Sequence, residues 1–595
     1  MTPTWGLAPT RKTNKTTFGY NKPMSKKRRK KQHLNHVQPK PQNPPTEKMN
    51  FSPLKWILFL VFLLYLPTLF FDFTYFDDNT LILNNITFLR NLGNIFAAFQ
   101  MDVFHLPQHS ASYYRPLLTL SFMFDSIISN TSALFYHVTN IVIHLLSVSA
   151  LFVLLKKLNY SPKIATGATL LFAVHPILTQ AVAWIPGRND SLAAFFVFTT
   201  FIFLIRYLEH KNPRDFWYYL FFTTCALFTK ETAIIMGPIF FAYIFLFERQ
   251  KLFAKETFLL AGGWIGSLLF WFVLRQFAIG SASGYTISTI LQSGINNWPA
   301  VFLFIGKIIL PINLSVLPIF ADSNLWLGVF VTSCLLLITL LFSSKNWRRV
   351  AFGWLWFLAF LLPSFIRPNP DVIADFLEHR AYLPLFGIII ILAEIRIPFD
   401  VLKNKSVAKW TFGIIASLFA LITLIHSFSF TNRLTFWEKA VATSPHAPLA
   451  HRNYGVMLYF DGRIDEAITQ YNEALKLNPQ EEMAHNNLGV IYMNNKKFEK
   501  AEKEYVAELE NNPYYDNALF NLGLTYFQQE KFEKALDYWQ QTIKINPGYS
   551  DAYNYTLMYY INQKDEQNVN EVLALMQKNG IPLRSDIQQQ LQPTP

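Results

Sequence analysis

Two adjacent aspartates, Asp77 and Asp78, follow the first long apolar stretch of the sequence, which runs from Leu54 to Phe71. Ionisable groups at the edge of a membrane are costly to place there, so their presence indicates function. A positioned carboxylate can accept the proton of a hydroxyl group as that hydroxyl attacks an electrophile. We therefore predict a general base in this pair, with Asp77 or Asp78 in that role. Adjacent aspartates alone also occur as simple helix caps.

Further charged residues are predicted on the same side of the membrane. Candidate partners for a donor phosphate are the basic residues Arg115, Arg188, Lys230, His379 and Arg380, and candidate supporting residues are His175, Asp190, Glu231 and Glu378. A phosphate leaving group develops negative charge that cations or a metal ion must stabilise. The set favours transfer of a sugar from a lipid phosphate. Two alternatives stay open: Arg188 could pair with Asp190, and Lys230 with Glu231 could form an interfacial ion pair.

The sequence predicts no cofactor with certainty. It has no Cys or His spacing typical of a metal site, and its two cysteines, Cys225 and Cys334, both fall in apolar stretches. A divalent metal ion held by carboxylates stays open.

Composition indicates a membrane protein of the all-α class. The 595 residues are 51% hydrophobic and only 15% charged, whereas soluble domains average about 25% charged residues. Much of the net charge of +13 lies near the N-terminus, including the basic run 26–31. Such a run is typical of a disordered cytoplasmic tail that fixes topology and contacts anionic membrane lipids, so we expect no nucleic-acid partner.

Apolar stretches of nearly 20 residues predict about eleven membrane spans. They lie near 54–71, 134–155, 164–182, 191–208, 216–230, 232–247, 257–276, 325–342, 349–366, 382–395 and 409–429. Three prolines interrupt the segment 299–320, which we interpret as re-entrant or broken. Basic residues cluster in alternate loops, which places the N-terminus in the cytoplasm and the first outer loop, 72–133, outside together with the C-terminal domain.

The C-terminal part repeats every 34 residues. The positions that recur at this step are Pro445, Pro479, Pro513 and Pro547; Gly455, Gly489 and Gly523; Ala467, Ala501 and Ala535; and Trp437, Tyr471, Tyr505 and Trp539. This period is typical of tetratricopeptide repeats, which stack into an α-solenoid. We predict three full repeats over 446–547, a half repeat before them and a degenerate repeat after them.

Three asparagines, Asn453, Asn487 and Asn521, also recur at 34 residues. The concave groove of such a solenoid holds peptides, and these side chains could bind the backbone of an acceptor protein. They could equally make polar contacts between helices.

The ordered motifs resemble a known family. They are Phe76-Asp77-Asp78, Tyr114-Arg115-Pro116-Leu117, the stretch from His175-Pro176 to Asp190, Lys230-Glu231, and the stretch from Glu378 to Pro384. In this order they resemble the transmembrane-and-tetratricopeptide O-mannosyltransferases and their bacterial relatives, over about residues 54–580.

The resemblance implies a GT-C glycosyltransferase that uses a polyprenyl-phosphate sugar donor on the non-cytoplasmic face. It implies mannose as the sugar, Ser or Thr of a protein as the acceptor, and catalysis by an acidic residue of the first outer loop, for which Asp77 is the best match. It also implies that the repeats engage the acceptor. The short repeat array and the long basic tail depart from the family pattern.

We therefore expect an inverting membrane glycosyltransferase that transfers a mannose-like hexose to a protein hydroxyl. The alternatives are a GT-C enzyme that modifies a glycolipid or envelope polymer, and a non-catalytic scaffold that presents the repeats. The predicted domains are a tail (1–50), a GT-C-like membrane domain (51–430), the repeat domain (431–580) and a flexible end (581–595). A composition rich in Phe, Lys and Asn and poor in Cys favours a bacterial inner membrane, with the repeats in the periplasm.

Overall fold

The structure is a computed structural model that describes residues 51–104, 113–279, 286–343, 346–366, 376–396 and 405–591. Throughout these ranges the secondary structure is helical, and the described residues form no β-strand beyond one isolated bridge between Ser343 and Ile395. The predicted all-α class is confirmed. The predicted basic tail, 1–50, lies outside the described residues.

Sixteen α-helices precede the repeat region in the described residues. They are α1 Ser52–Tyr65, α2 Ile86–Leu89, α3 Pro116–Ser129, α4 Ala133–Lys157, α5 Pro162–Ala173, α6 Thr179–Ala183, α7 Arg188–His210, α8 Pro213–Thr229, α9 Met236–Phe247, α10 Lys255–Ile279, α11 Ile287–Asn297, α12 Ala300–Ile309, α13 Leu325–Phe342, α14 Trp347–Leu361, α15 Tyr382–Glu394 and α16 Lys405–Ser427. Short 3-10 or π turns join several of them, at Leu66–Phe70, Asn79–Leu83, Leu92–Ile95, Ala97–Phe99, Pro176–Leu178, Ile185–Gly187, Glu231–Ile235, Arg249–Lys251, Leu362–Phe365, Glu378–Ala381 and Phe428–Phe430.

Fewer helices than predicted satisfy the requirements for a membrane span. Among the described residues, six are long and apolar enough, and a seventh results if the bent pair Pro162–Ala173 and Pro176–Ala183 is one span. The predicted count of eleven is therefore not confirmed. Several of the other predicted spans are shorter than the roughly 20 residues that a bilayer needs, because turns interrupt them. For example, α9 has 12 residues and α15 has 13.

The membrane domain has a buried centre and a lipid-facing rim. Burial reaches 61% in α4 and 78% in the span containing α7, but only 22% to 28% in α1, α10, α13 and α16. The central helix α7 packs against α4, α8 and α15. Apolar helices that expose most of their surface indicate contact with lipid. The chain is accordingly a multi-pass membrane protein.

The repeat region forms the predicted α-solenoid. Its helices are α17 Arg433–Thr443, α18 Pro448–Phe460, α19 Ile464–Leu477, α20 Ala484–Asn494, α21 Phe498–Asn511, α22 Asp516–Gln528, α23 Phe532–Ile545, α24 Ser550–Gln563, α25 Glu566–Lys578 and α26 Ser585–Leu591. A Cβ at Gly489 would lie 2.6 Å from the Tyr505 ring, which explains why a small residue faces an aromatic residue in each repeat.

A short helix, α26, follows the last helix pair of the solenoid. Residues Ser585–Leu591 form α26, and the side chain of Ile587 is fully buried against α24 and α25. The predicted flexible end, 581–595, therefore contains a helix whose Ile587 packs on the last helix pair, and its flexibility stays a prediction.

Candidate functional site

A cavity of about 590 Å³ lies beside the segment that carries the paired aspartates. Its charged or ionisable lining residues are Asp77, Arg115, Lys230, Glu231, Arg275, His379 and Arg380. These come from the segment between α1 and α3, the Lys-Glu motif, the end of α10 and the Glu-His-Arg motif. The structure thus brings together most of the residues predicted for catalysis and phosphate binding.

The two aspartates occupy different environments. Asp77 lines the cavity, whereas Asp78 is fully buried beside it. The Asp78 carboxylate accepts hydrogen bonds from the backbone amide of Thr74, at 2.8 Å, and from the Thr74 hydroxyl, at 2.5 Å. Burial raises the pKa of Asp78 to about 6, although the bonds from Thr74 act in the opposite direction. Asp77 is therefore the better candidate for the base, and Asp78 shapes the turn.

Glu231 fixes the position of Arg115. The guanidinium Nη2 and Nε atoms of Arg115 lie 2.9 Å and 3.0 Å from Oε2 of Glu231. The backbone amide of Tyr114 donates to Oε1 of the same carboxylate at 3.1 Å. The side chain of Arg115 is thereby held at the cavity wall.

Lys230 and His379 meet at Asp190. The Lys230 ammonium lies 2.5 Å from Oδ2 of Asp190, and Nε2 of His379 lies 3.6 Å from the same atom. Burial, together with the charges of Lys230, Arg380 and Arg115, holds the pKa of His379 well below its usual range. The interpretation of Lys230 and Glu231 as one ion pair is wrong, because each residue pairs with a different partner.

Arg188 does not reach the cavity. Its side chain is fully buried and lies 2.5 Å from Oδ2 of Asp125, and it also donates to the side-chain oxygen of Asn140 and the carbonyl of Tyr136, at 2.7 Å each. The pairing with Asp190 that the sequence left open does not occur either. Because these bonds saturate a guanidinium far from solvent, we replace the prediction of a phosphate ligand by a structural role.

Close backbone packing precedes the start of α7, the helix that carries Arg188 and Asp190. A Cβ at Gly187 would lie only 2.4 Å from the carbonyl oxygen of Gln180, so this position requires glycine. The contact turns the chain sharply between α6 and α7. Asn189 then lines the cavity while Asp190 reaches Lys230.

Two predicted supporting residues are buried behind the cavity wall. His175 donates from Nε2 to the carbonyl of Ile308 at 2.9 Å. Glu378 accepts from Lys307 and from the backbone amide of Ser315, both at 2.8 Å. Neither side chain lines the cavity, and both join the α12 region to the motifs that do.

The three repeat asparagines make contacts within the solenoid. Asn521 donates to Asn486 at 3.0 Å, Asn486 lies 3.5 Å from Asn487, and Asn453 accepts from Arg452 at 3.2 Å. All three predicted residues are half-buried. Their role in binding an acceptor stays a prediction.

Sequence reasoning missed one cation of the cavity, Arg275. It stands near the end of α10, and its guanidinium lies 6.0 Å from the ring centroid of Trp271. The available signal was a lone arginine near the C-terminal end of a long apolar helix, where a charge is costly without a function. For metals, no group of three or more His, Cys, Asp or Glu residues in the described ranges could hold an ion.

Comparison with known proteins shows that several families match parts of the chain. The family described as dolichyl-phosphate-mannose-protein mannosyltransferase matches residues 120–274, which contain Arg188, Asp190, Lys230 and Glu231. Families described as TPR repeat and tetratricopeptide repeat match 455–496, 484–514 and 517–549. The chain therefore combines a membrane domain that matches a mannosyltransferase family over 120–274 with a tetratricopeptide solenoid.

Protein O-mannosyl-transferases of animals are similar to part of the chain. Protein O-mannosyl-transferase TMTC3 of Homo sapiens is 33% identical over 170 residues, which are 28% of this chain and 18% of that protein. A protein O-mannosyl-transferase of Caenorhabditis elegans is 31% identical over 222 residues, or 35% of this chain and 31% of that protein. The matched part thus spans less than a third of either relative. These homologues confirm the predicted resemblance to the transmembrane-and-tetratricopeptide O-mannosyltransferases.

Among solved structures, MamA from Desulfovibrio magneticus RS-1 is 20% identical and covers 25% of this chain and 84% of its own, with a TM-score of 0.23.

Proposed function

We propose that this protein is a membrane glycosyltransferase that moves a mannose-like hexose from a polyprenyl phosphate to a hydroxyl group of a protein. The observation that carries the proposal is the cavity in which Asp77 lies with Arg115, Lys230, Arg275 and Arg380. A carboxylate among several cations suits a reaction in which a hydroxyl loses a proton and a phosphate departs. The match to a mannosyltransferase family over 120–274 supports the same chemistry.

The proposed reaction is a single displacement. The acceptor oxygen attacks the anomeric carbon of the sugar, and its proton passes to the Asp77 carboxylate. The bond between that carbon and the phosphate oxygen breaks, so polyprenyl phosphate leaves and the sugar inverts. Arg115, Lys230 and Arg380 stabilise the charge on the leaving phosphate, and Glu231 and Asp190 hold the first two of these cations in place.

The proposed location is a bacterial inner membrane, with the cavity and the repeats on the periplasmic side. The composition rich in Phe, Lys and Asn supports the bacterial membrane, and the direct packing of the solenoid on the cavity wall supports one side for both. An alkaline phosphatase fused after Leu591 tests this orientation. Periplasmic activity of the fusion is expected, and an inactive but stable fusion would contradict it.

The deciding experiment is sugar transfer by the purified protein in detergent or nanodiscs. A panel of polyprenyl-phosphate sugars serves as donors and a periplasmic extract as acceptor, with Asp77→Asn in parallel. Glycoprotein that forms with the wild type and not with Asp77→Asn supports the proposal, whereas labelled lipid or polymer would favour an envelope-modifying enzyme. Parallel reactions in EDTA and with added Mg²⁺ decide whether a divalent ion shares the phosphate with the basic side chains.

A further inference from the structure

The membrane domain and the solenoid share one hydrophobic core, which we call the junction core. The membrane domain contributes Phe71, Ala183, Trp184, Val316, Leu317, Ile319, Leu377 and Phe430, and the solenoid contributes Phe436, Trp437, Ala440, Ala447, Ala450 and Met457. Two of these residues, Trp184 and Leu377, also line the cavity that contains Asp77. The solenoid therefore packs directly behind the cavity wall.

Phe76, the residue before Asp77, is held between the two domains. Its ring stacks on Trp184 with centroids 5.4 Å apart and planes 26° apart. It also stacks on Phe436 of α17, at 5.8 Å and 29°, and meets Trp437 edge-on at 5.6 Å. Offset stacks of this kind add to the free energy of ordinary burial and fix the ring's orientation. The position of the Asp77 backbone thus depends on a helix more than 350 residues later in the chain.

The same helix supports an unusual backbone turn. Tyr75 has φ of 58°, in the left-handed region that costs a non-glycine residue about 1–3 kcal/mol. The Arg433 guanidinium of α17 lies 5.2 Å from the Tyr75 ring centroid. The backbone amide of Asp72 donates to the carbonyl of Thr431 at 2.8 Å. Such a turn persists only where its surroundings over-determine it, and here the surroundings include the start of the solenoid.

The Glu-His-Arg motif, which also contributes to the cavity lining, follows a residue of the junction core. Leu377 of the junction core directly precedes Glu378, His379 and Arg380. The backbone amide of Ser315 donates to the Glu378 carboxylate. Two residues later, the carbonyl of Leu317 accepts a hydrogen bond from the Ser444 hydroxyl of the solenoid at 2.6 Å. Segments that carry the proposed base and the proposed phosphate ligands are therefore both backed by α17 and the turn after it.

We propose that α17 is a positioning element of the catalytic cavity and that Phe436, by stacking on Phe76, sets the place of Asp77. In this proposal the solenoid has two roles: its first helix positions residues of the cavity, and its groove binds partners. This inference rests on the proposed function, in which Asp77 accepts the acceptor's proton. Misplacement of a reacting group by about 1 Å can cost on the order of a hundredfold in rate, so a distant packing residue can control turnover.

The kinetic test compares Phe436→Ala with Phe532→Ala in the full-length protein. Phe532 is a partly buried ring of α23 that packs on Phe527 and Tyr559, far along the solenoid, so its loss perturbs the same domain without touching the cavity. We expect Phe436→Ala to lower kcat about 10- to 100-fold with the KM for the donor within about twofold of wild type. Phe436→Leu, which retains apolar volume, recovers part of kcat, and Phe532→Ala keeps the wild-type value.

A structural test is independent of any transferase activity. Hydrogen exchange of the amides in residues 71–78 is measured in wild type, Phe436→Ala, Phe436→Leu and Phe532→Ala. We expect at least about tenfold faster exchange in this segment for Phe436→Ala, an intermediate rate for Phe436→Leu and none of this change for Phe532→Ala. If Phe436→Ala does not insert into the membrane, Phe436→Leu is compared with wild type and Phe532→Ala instead.

The outcomes separate the two proposals. A wild type that transfers no sugar from any donor defeats the proposed function, and the exchange measurement still tests the positioning of residues 71–78. Unchanged exchange, or faster exchange with unchanged kcat, overturns the role of α17 in positioning Asp77.

Discussion

The Nζ atom of Lys230 lies 2.5 Å from Oδ2 of Asp190, and this bond joins two sequence motifs that are 40 residues apart. Both side chains are nearly buried, with exposed fractions of 10% and 7%. A buried ion pair is costly to break from one side, because the remaining charge keeps its desolvation penalty. The pair holds the Lys230 ammonium at the cavity and brings Asp190 within 3.6 Å of His379.

Removal of Lys230 alone is expected to destabilise the protein more than removal of both partners. Lys230→Met leaves the Asp190 carboxylate without its cation, at a cost of about 3–5 kcal/mol. The double variant Lys230→Met/Asp190→Asn should recover most of this loss in thermal unfolding while its transfer activity stays low. A double variant as unstable as Lys230→Met would contradict the assignment of this pair.

Substitutions of Asp77 and Asp78 are expected to have different effects, the first on catalysis and the second on stability. Asp77→Asn removes the proposed base and should lower transfer by about 10²- to 10⁴-fold, because general base catalysis contributes that much. Its thermal midpoint should stay near that of the wild type, since an amide of equal size replaces the carboxylate. Wild-type turnover by Asp77→Asn would exclude this aspartate as the base.

Asp78→Asn is the matched control and carries a pH signature. The folded pKa of Asp78, about 6, is above its ordinary value of 3.8, so its protonated form favours folding. The stability from this group is fully present below about pH 3.8 and is lost as pH rises through about 6. The amide that replaces the carboxyl group cannot ionise, so Asp78→Asn should be increasingly more stable than wild type between pH 5 and 7.5, by at most about 3 kcal/mol. A difference in thermal midpoint that is constant over this range would contradict the burial of a carboxyl group here.

Two arginines are expected to differ in what they control. Arg380 lines the cavity, so Arg380→Ala should raise the KM for the donor about 10- to 100-fold, which corresponds to the loss of charged hydrogen bonds to phosphate. Arg188 is fully buried against Asp125, so Arg188→Met should reduce the amount of folded protein in the membrane. Steady-state kinetics and the yield of folded protein, measured on both variants, distinguish the roles. A folded, stable Arg188→Met with a raised KM would restore Arg188 as a phosphate ligand.

The solenoid has its own titrating pair. Nδ1 of His485 lies 2.7 Å from Oε2 of Glu504, and this hydrogen bond raises the pKa of His485 above its usual value. The stability it supplies is fully present below about pH 6.5 and is lost as pH rises through the raised pKa. Because both side chains are partly exposed, we expect less than about 1 kcal/mol. Hydrogen exchange of α20 should therefore speed up modestly from pH 6 to pH 8, after correction for the intrinsic rate, and His485→Gln should abolish this excess.

Local patterns in the sequence predicted the solenoid well. Gly489 and Tyr505 recur at 34 residues because they touch across one helix pair, so the spacing along the chain already encodes the contact. The motifs around Asp77, Lys230 and His379 were also predicted as one site, because charged residues at a membrane edge have few explanations other than function.

Long-range contacts explain what the sequence left undecided. Arg188 forms an ion pair with Asp125, which lies 63 residues earlier, and no local spacing in the sequence predicts that pair. Asp77 and Asp78 are equivalent by type and by neighbourhood in the sequence, and only the structure shows that Asp77 lines the cavity while Asp78 is buried. The count of eleven spans is not confirmed, because hydropathy does not reveal where turns such as Pro176–Leu178 interrupt an apolar stretch.

The stack between Phe76 and Phe436 also orders events during biosynthesis. A ribosome that adds about 5–20 residues per second reaches Phe436 roughly 20–70 s after Phe76, since 360 positions separate them. During that interval the turn at Tyr75 has no support from α17. The spans are therefore synthesised before α17 can support this turn, and on the proposed function a chain truncated before α17 should insert into the membrane but transfer no sugar.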